Sequence, residues 1–168
     1  MTRYLLFCCF FLSGCTGLPN GVQPVTDFSL ERYLGQWYEI ARTDNKFERG
    51  LNQVTATYQR QGDGGVRVLN RGFNTNEQRW KQANGKAYFV SNQDTGHLKV
   101  SFWGPFYSSY VIFELDQDYQ YAFVSGYNQD YLWLLARTPD ISEEIKQRFI
   151  QQAQQLGIES NQLIWPMQ

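Results

Sequence analysis

The chain has 168 residues, which is ample for one domain with a sizeable core and short for two. Its formal charge of −1 gives no electrostatic basis for binding nucleic acid. One histidine, together with three cysteines that all lie in the first fifteen residues, leaves no Ser-His or Cys-His pair and no histidine-rich zinc site. We therefore expect a binding protein without metal or cofactor, rather than an enzyme. The high aromatic content of 17% suggests a lined interior.

The first 14 residues have the pattern of an export signal. Arg3 precedes an apolar run over residues 4–12, which is far shorter than the roughly 20 residues that cross a bilayer. The run ends in Leu12-Ser13-Gly14-Cys15, which resembles the lipobox of bacterial lipoproteins, whose cysteine is lipidated. We therefore expect residues 1–14 to be a lipoprotein signal peptide and Cys15 to carry anchoring acyl chains. The alternative is an ordinary secretory signal with an incidental cysteine.

One domain follows this signal. Residues 15–26 contain prolines and glycines without periodicity, so beyond the lipidated Cys15 they are expected to be a flexible tether ahead of a domain at residues 27–168. Between residues 53 and 137, apolar and polar residues alternate and are interrupted by turn-forming sequences at short intervals. This pattern predicts an up-and-down antiparallel sheet of about eight strands.

Two stretches near the ends of the sheet predict its closure. Gly35 and Trp37 begin the first strand, where the glycine allows a sharp turn and the indole drops to one face. Near the other end, Trp133, Leu135 and Arg137 alternate and therefore share a face of the last strand. An arginine on an otherwise apolar face needs a partner. Stacking on the Trp37 indole would supply one and tie the last strand to the first.

A single helix is predicted after Pro139, where the period of the apolar residues changes from two to 3.6. Asp140 and Glu143 resemble a capping box at its start, and Gly157 supplies its stop. The apolar stripe of the helix consists of Ile145, Phe149, Ala153 and Leu156. We expect this stripe to dock on the outer wall of the sheet, with the opposite, Gln-rich face in solvent.

Three stretches in order resemble the lipocalin family: residues 35–42 with a G-x-W motif, residues 99–107, and residues 130–139 with the arginine that crosses the tryptophan. With the lipobox ahead of them, they are similar to the bacterial outer-membrane lipocalins. The resemblance implies an all-β fold, an eight-stranded up-and-down antiparallel β-barrel with one C-terminal α-helix packed outside. It also implies anchoring in the outer membrane of a Gram-negative cell, with the domain facing the periplasm.

The resemblance further implies that the barrel holds the tail of a fatty acid or lysophospholipid. Alternation along the strands selects most of the candidate wall residues, and the register of the resembling family selects the rest. The predicted ligand-binding residues are Val54, Ala56, Tyr58, Val68, Phe89, Leu98, Val100, Phe102, Tyr110, Ile112, Val124 and Trp133. Small barrels also fill their interiors with side chains, so core packing is the alternative role for each of them.

Charged residues near the first loop are candidates for contact with a head group. In the resembling family this loop lies over the barrel mouth, which suggests that Arg42, Lys46 and Arg49 meet a phosphate or carboxylate; solvated loop charges are the alternative. Glu39 shares the inward face of Trp37, so its carboxylate must pair, with Arg137 as a candidate, or have a raised pKa. Structural pairing is favoured over catalysis for this glutamate.

Two other functions stay open from the sequence. One is a structural envelope lipoprotein with a filled barrel that binds another protein. The other is an enzyme of the lipocalin type, with Glu39 or a tyrosine as acid or base, although the missing thiol and the single histidine count against it. The sequence also leaves open whether two barrels pair as a homodimer, and whether the protein stores or transports its ligand.

Overall fold

A computed structural model describes residues 16–168, so the predicted signal peptide and Cys15 lie outside the described residues. The strands of the described part are β1 (Gly35–Thr43), β2 (Leu51–Arg60), β3 (Val66–Asn74), β4 (Arg79–Phe89), β5 (His97–Trp103), β6 (Phe106–Leu115), β7 (Tyr121–Ser125), β8 (Leu132–Ala136) and β9 (Leu163–Ile164). The helices are α1 (Leu30–Tyr33) and α2 (Glu143–Gln155), and a 3-10 turn covers Ser160–Gln162. Within residues 16–168, no helix is long and apolar enough to cross a bilayer.

Strands β1 to β8 form a closed antiparallel barrel. Each strand pairs with the next one in the chain, and β1 pairs with both β2 and β8. The short strand β9 adds to the outside of this closure by pairing with Arg42 and Thr43 of β1. The predicted eight-stranded barrel with an external helix is therefore confirmed.

The two ends of the barrel differ. The loops after β1, β3, β5 and β7 lie at one end, which we call the open end. The loops after β2, β4 and β6 lie at the other end, which we call the closed end, because α1 crosses it and buries Leu30 and Tyr33 against the interior. A molecule that enters the barrel lengthwise must therefore come through the open end.

Helix α2 covers the outer wall as predicted. Phe149 and Ala153 are fully buried and pack with Val111 and Phe123, which point out of the barrel. The predicted capping box is wrong, because the N-cap is Ser142, two residues after Asp140, and its side chain accepts a hydrogen bond from the Ile145 amide. The helix adds an outer core and leaves the interior of the barrel for other contacts.

The segment ahead of the barrel is docked for most of its described length. Val22 is 2% exposed and packs in the outer core. The Val25 amide donates to the Ile112 carbonyl at 2.9 Å, and Ser109 Oγ donates to the Gly17 carbonyl at 2.7 Å. The part of the predicted tether from residue 17 onward therefore follows the barrel wall.

Candidate functional site

The closed end is sealed by the pair of residues that the sequence places together. The guanidinium carbon of Arg137 lies 3.9 Å from the centroid of the Trp37 indole, which is fully buried. Arg137 also donates to the carbonyls of Gln36 at 2.9 Å and Arg32 at 2.7 Å. The indole Nε1 donates to the Tyr33 carbonyl at 2.8 Å. One arginine thus ties the end of β8 to the start of β1 and to α1.

A cavity extends from this seal toward the open end. Its volume is about 100 Å³, so the side chains of the barrel leave an internal space between its walls. Ten of the twelve predicted wall residues line this cavity: Val54, Ala56, Tyr58, Val68, Leu98, Val100, Phe102, Tyr110, Val124 and Trp133. The wall is therefore mostly hydrocarbon and aromatic, as a pocket for an aliphatic chain requires.

The cavity wall differs from the predicted one in both directions. Ile112 and Phe89 belong to the inner core without lining the cavity. Conversely, Phe28, Leu30 and Tyr33 line it from the segment that crosses the closed end. Four further wall residues share a strand face with predicted ones, so the period-two pattern could have identified them: Val66, Asn70, Ala87 and Leu135. The residues of the crossing segment have no such pattern.

Three tyrosine hydroxyls meet in the deep part of the cavity. The Tyr110 hydroxyl is 2.8 Å from that of Tyr33 and 2.8 Å from that of Tyr58. Burial raises the pKa of all three phenols, so each keeps its proton at neutral pH. The two hydrogen bonds use two of the three hydroxyl protons, which leaves one O–H of this group to donate to an oxygen atom in the cavity.

Glu39, Arg42 and Glu48 form a second polar group, the acid cluster, higher on the wall. Glu39 is 3% exposed and accepts a hydrogen bond from Arg42 Nη1 at 2.6 Å. The Glu48 carboxylate accepts from Trp133 Nε1 at 3.1 Å and from Asn45 Nδ2. Burial and then the neighbouring Glu48 carboxylate raise the pKa of Glu39 well above its ordinary value. A protonated Glu39 leaves the acid cluster electrically neutral.

The predicted partnership of Glu39 with Arg137 is wrong, because Arg42 takes that position. Residues three apart on a regular strand point to opposite faces. Strand β1, however, has a register shift between Glu39 and Ala41, which turns Arg42 to the side of Glu39. Arg42 is consequently 2% exposed, with its Nη2 donating to the Glu48 carbonyl at 2.8 Å.

The other two head-group candidates lie in the loop after β1, at the open end. Arg49 is exposed and donates to both carboxylate oxygens of Asp44, at 2.7 to 3.0 Å. Lys46 Nζ lies 5.1 Å from the ring centroid of the exposed Phe47. The structure therefore buries Arg42 beside Glu39 and leaves Lys46 and Arg49 at the open end.

Comparison with known families matches residues 28–168 to the model of the lipocalin-like domain. The chain is 54% identical over 166 residues to a protein of Vibrio cholerae named outer membrane lipoprotein Blc, covering 98% of this chain and 97% of that protein. It is 49% identical over 150 residues to the Escherichia coli K12 protein of the same name, covering 89% and 85%.

Solved structures show the same fold at low sequence identity. Insecticyanin from the tobacco hornworm superposes with a TM-score of 0.67 at 17% identity, covering 89% of this chain and 86% of that one. The cockroach allergen Per a 4 superposes with a TM-score of 0.69 at 17% identity, covering 91% and 96%. Both likenesses extend over the whole barrel and support its architecture.

Proposed function

This chain belongs to the family of lipocalin-like domains, and from that premise we propose that it is an outer-membrane lipid-binding protein that holds the tail of a fatty acid or lysophospholipid in its barrel. The cavity lined by Val54, Val68, Leu98, Val100 and Val124 carries the proposal, because these side chains offer an aliphatic tail contact along its length. Sequestering about ten methylenes at about 0.8 kcal/mol each contributes about 8 kcal/mol before entropic costs. This gross gain sets an upper limit of about micromolar affinity for those contacts, and the entropic costs lower it.

The polar groups of the barrel support a tail-first orientation. A carboxylate or phosphate placed beside Glu39 and Glu48 would face two acidic groups and one guanidinium, which Glu39 already engages. Lys46 and Arg49 lie at the open end, where a charged head group also keeps its contact with water. The charged part of the ligand therefore stays at the open end.

Anchoring in the outer membrane is supported by the relatives and by the first fifteen residues. The Vibrio cholerae protein is named an outer membrane lipoprotein, and its similarity covers 98% of this chain, so it extends into the residues ahead of the barrel. The lipobox-like sequence Leu12-Ser13-Gly14-Cys15 lies in that segment. We propose that acylated Cys15 holds the barrel at the periplasmic face of the outer membrane.

Fluorescence of Trp133 tests the cavity. Trp133 lines the cavity, whereas Trp165 lies outside it against Phe149. Titration with a lysophospholipid carrying a brominated tail is expected to quench the parent protein and the Trp165→Phe variant in the same concentration range. The Trp133→Phe variant is expected to lose most of this quenching. A folded parent protein that shows no quenching would instead support the structural lipoprotein.

Native mass spectrometry of the protein purified from its own envelope complements this titration. It reports the mass of a retained lipid and the number of subunits together, which tests the ligand and the homodimer in one measurement. A barrel recovered without lipid, and unable to take up a fatty acid or lysophospholipid afterwards, would contradict the proposal.

A further inference from the structure

Large exposed apolar side chains concentrate at the open end of the barrel. Trp103 and Phe106, on either side of the β5–β6 turn, are 85% and 65% exposed, and Phe47 in the loop after β1 is 71% exposed. Among the loops that the structure describes at the closed end, the corresponding exposed side chain is Val90. Aromatic side chains exposed together at one end of a protein mark an interaction surface.

The β5–β6 hairpin holds two of these side chains at its tip. Trp103 pairs with Phe106 across Gly104-Pro105, so both are held at the tip of a paired strand rather than on a loose loop. Lys99 and Lys86 lie just below the tip, 5.3 and 5.9 Å from the ring centroid of Tyr107. This arrangement suits a membrane interface, because aromatic rings are stabilised in the head-group region and lysines are attracted by anionic phosphates.

The path of the N-terminal segment points to the same end. Strand β6 runs from Phe106 at the open end to Leu115 at the closed end. The segment is bonded to Ile112 through Val25 and, further back in the chain, to Ser109 through Gly17. From Val25 back to Gly17 it therefore runs along the outer wall toward the open end, and the backbone of Thr16 then contacts the side chain of His97.

The remaining distances are short. Cys15 is two residues from Gly17, which corresponds to at most about 7 Å of extended chain. Ser109 is three residues from Phe106 along β6, which corresponds to about 10 Å. Acyl chains on Cys15 are therefore within reach of the barrel end that carries Trp103 and Phe106.

We infer that the open end docks on a phospholipid bilayer that contains anionic lipid, with Trp103, Phe106 and Phe47 at the interface and the entrance of the cavity facing the lipid. The orientation rests on the proposed acylation of Cys15 but not on the identity of the ligand. A tail can then pass between bilayer and barrel without crossing bulk water.

The test uses the full chain as a lipoprotein, reconstituted into vesicles of phosphatidylethanolamine and phosphatidylglycerol, a part of which is brominated in the acyl chains. Flotation first reports whether the protein is bound to the vesicles. Tryptophan quenching is then compared among the parent, Trp103→Phe and Trp165→Phe. The two variants each remove one reporter and keep an aromatic ring in its place.

We expect the parent to float and its emission to be quenched, with a clear loss of quenching in Trp103→Phe and none in Trp165→Phe. Quenching through a brominated lipid inside the cavity acts on Trp133 and is the same in both variants. Flotation with equal quenching in the parent and both variants would overturn the docking while leaving the anchor and the ligand intact. Failure to float would overturn the anchor and the docking together.

A second copy of the chain is the competing occupant of this surface. In that case Trp103 would be shielded from acrylamide in water yet not quenched by brominated lipid, and the protein would migrate as a dimer. This result would also overturn the docking on the bilayer.

Discussion

Filling the cavity from one wall residue tests whether the cavity is the binding site. Val100 is half-buried on β5, lines the cavity and lies between Ala87 and Ser108 of the neighbouring strands. A Val100→Trp substitution would occupy the space of about five methylenes of a bound tail. At about 0.8 kcal/mol each, this costs about 4 kcal/mol, or about a thousandfold in affinity.

Isothermal titration calorimetry with a lysophospholipid measures this loss. The matched control is Gln59→Trp, which adds the same side chain on the exposed outer face of β2 and is expected to bind like the parent. Circular dichroism must show the same barrel in both variants, because overpacking a core also destabilises it. Equal affinity of a folded Val100→Trp variant and the parent would refute the assignment of the cavity as the lipid site.

Three further predictions concern the seal and the polar groups. Arg137→Ala removes the stacking on Trp37 and the donors to backbone carbonyls, so urea denaturation should show a loss of about 3 kcal/mol, and a change within error would mean that the barrel closes without it. Tyr110→Phe leaves two neighbouring buried phenols without their shared partner and should cost about 2 kcal/mol in the same assay; an unchanged midpoint would contradict the tyrosine group. Folded Glu39 keeps a proton that the unfolded chain releases above its ordinary pKa of 4.5, so the stability of the parent should fall as the pH rises above about 5 toward the raised pKa of the folded protein. Glu39→Gln should remove this slope relative to the parent, whereas His97, whose pKa burial lowers, contributes equally to both; parallel curves would contradict the raised pKa.

The sequence predicted the barrel and most of its wall because period-two alternation is a direct property of a strand. Val54, Ala56 and Tyr58 face inward because alternate residues of a strand share a face, and the same rule applies to Val66 and Asn70. The Trp37–Arg137 stack was also predictable, because a cation on an apolar face has few partners. Local rules therefore suffice where each strand is regular.

The same rules fail where a strand is irregular or where the wall comes from outside the sheet. The register shift between Glu39 and Ala41 turns the Arg42 side chain to the side of Glu39, and no residue type in that stretch predicts a bulge. Phe28 and Tyr33 line the cavity because α1 crosses the closed end, which is a consequence of tertiary packing. The partner of Glu39 was therefore mispredicted because of the bulge, and the wall residues of the crossing segment were missed because they lie outside the sheet.

The bulge also determines which part of a ligand the barrel accepts. If Arg42 faced outward, Glu39 would be an unpaired carboxylate in the cavity; facing inward, it gives the acid cluster its single guanidinium. The cluster is neutral with one proton on Glu39, and a second anion beside it would have to displace Arg42 from that carboxyl. An uncharged tail meets no such cost, so it enters while the charged head stays outside. With the open end against a bilayer, the head group of the ligand remains among the lipid head groups, and only its methylenes pass from the bilayer into the cavity.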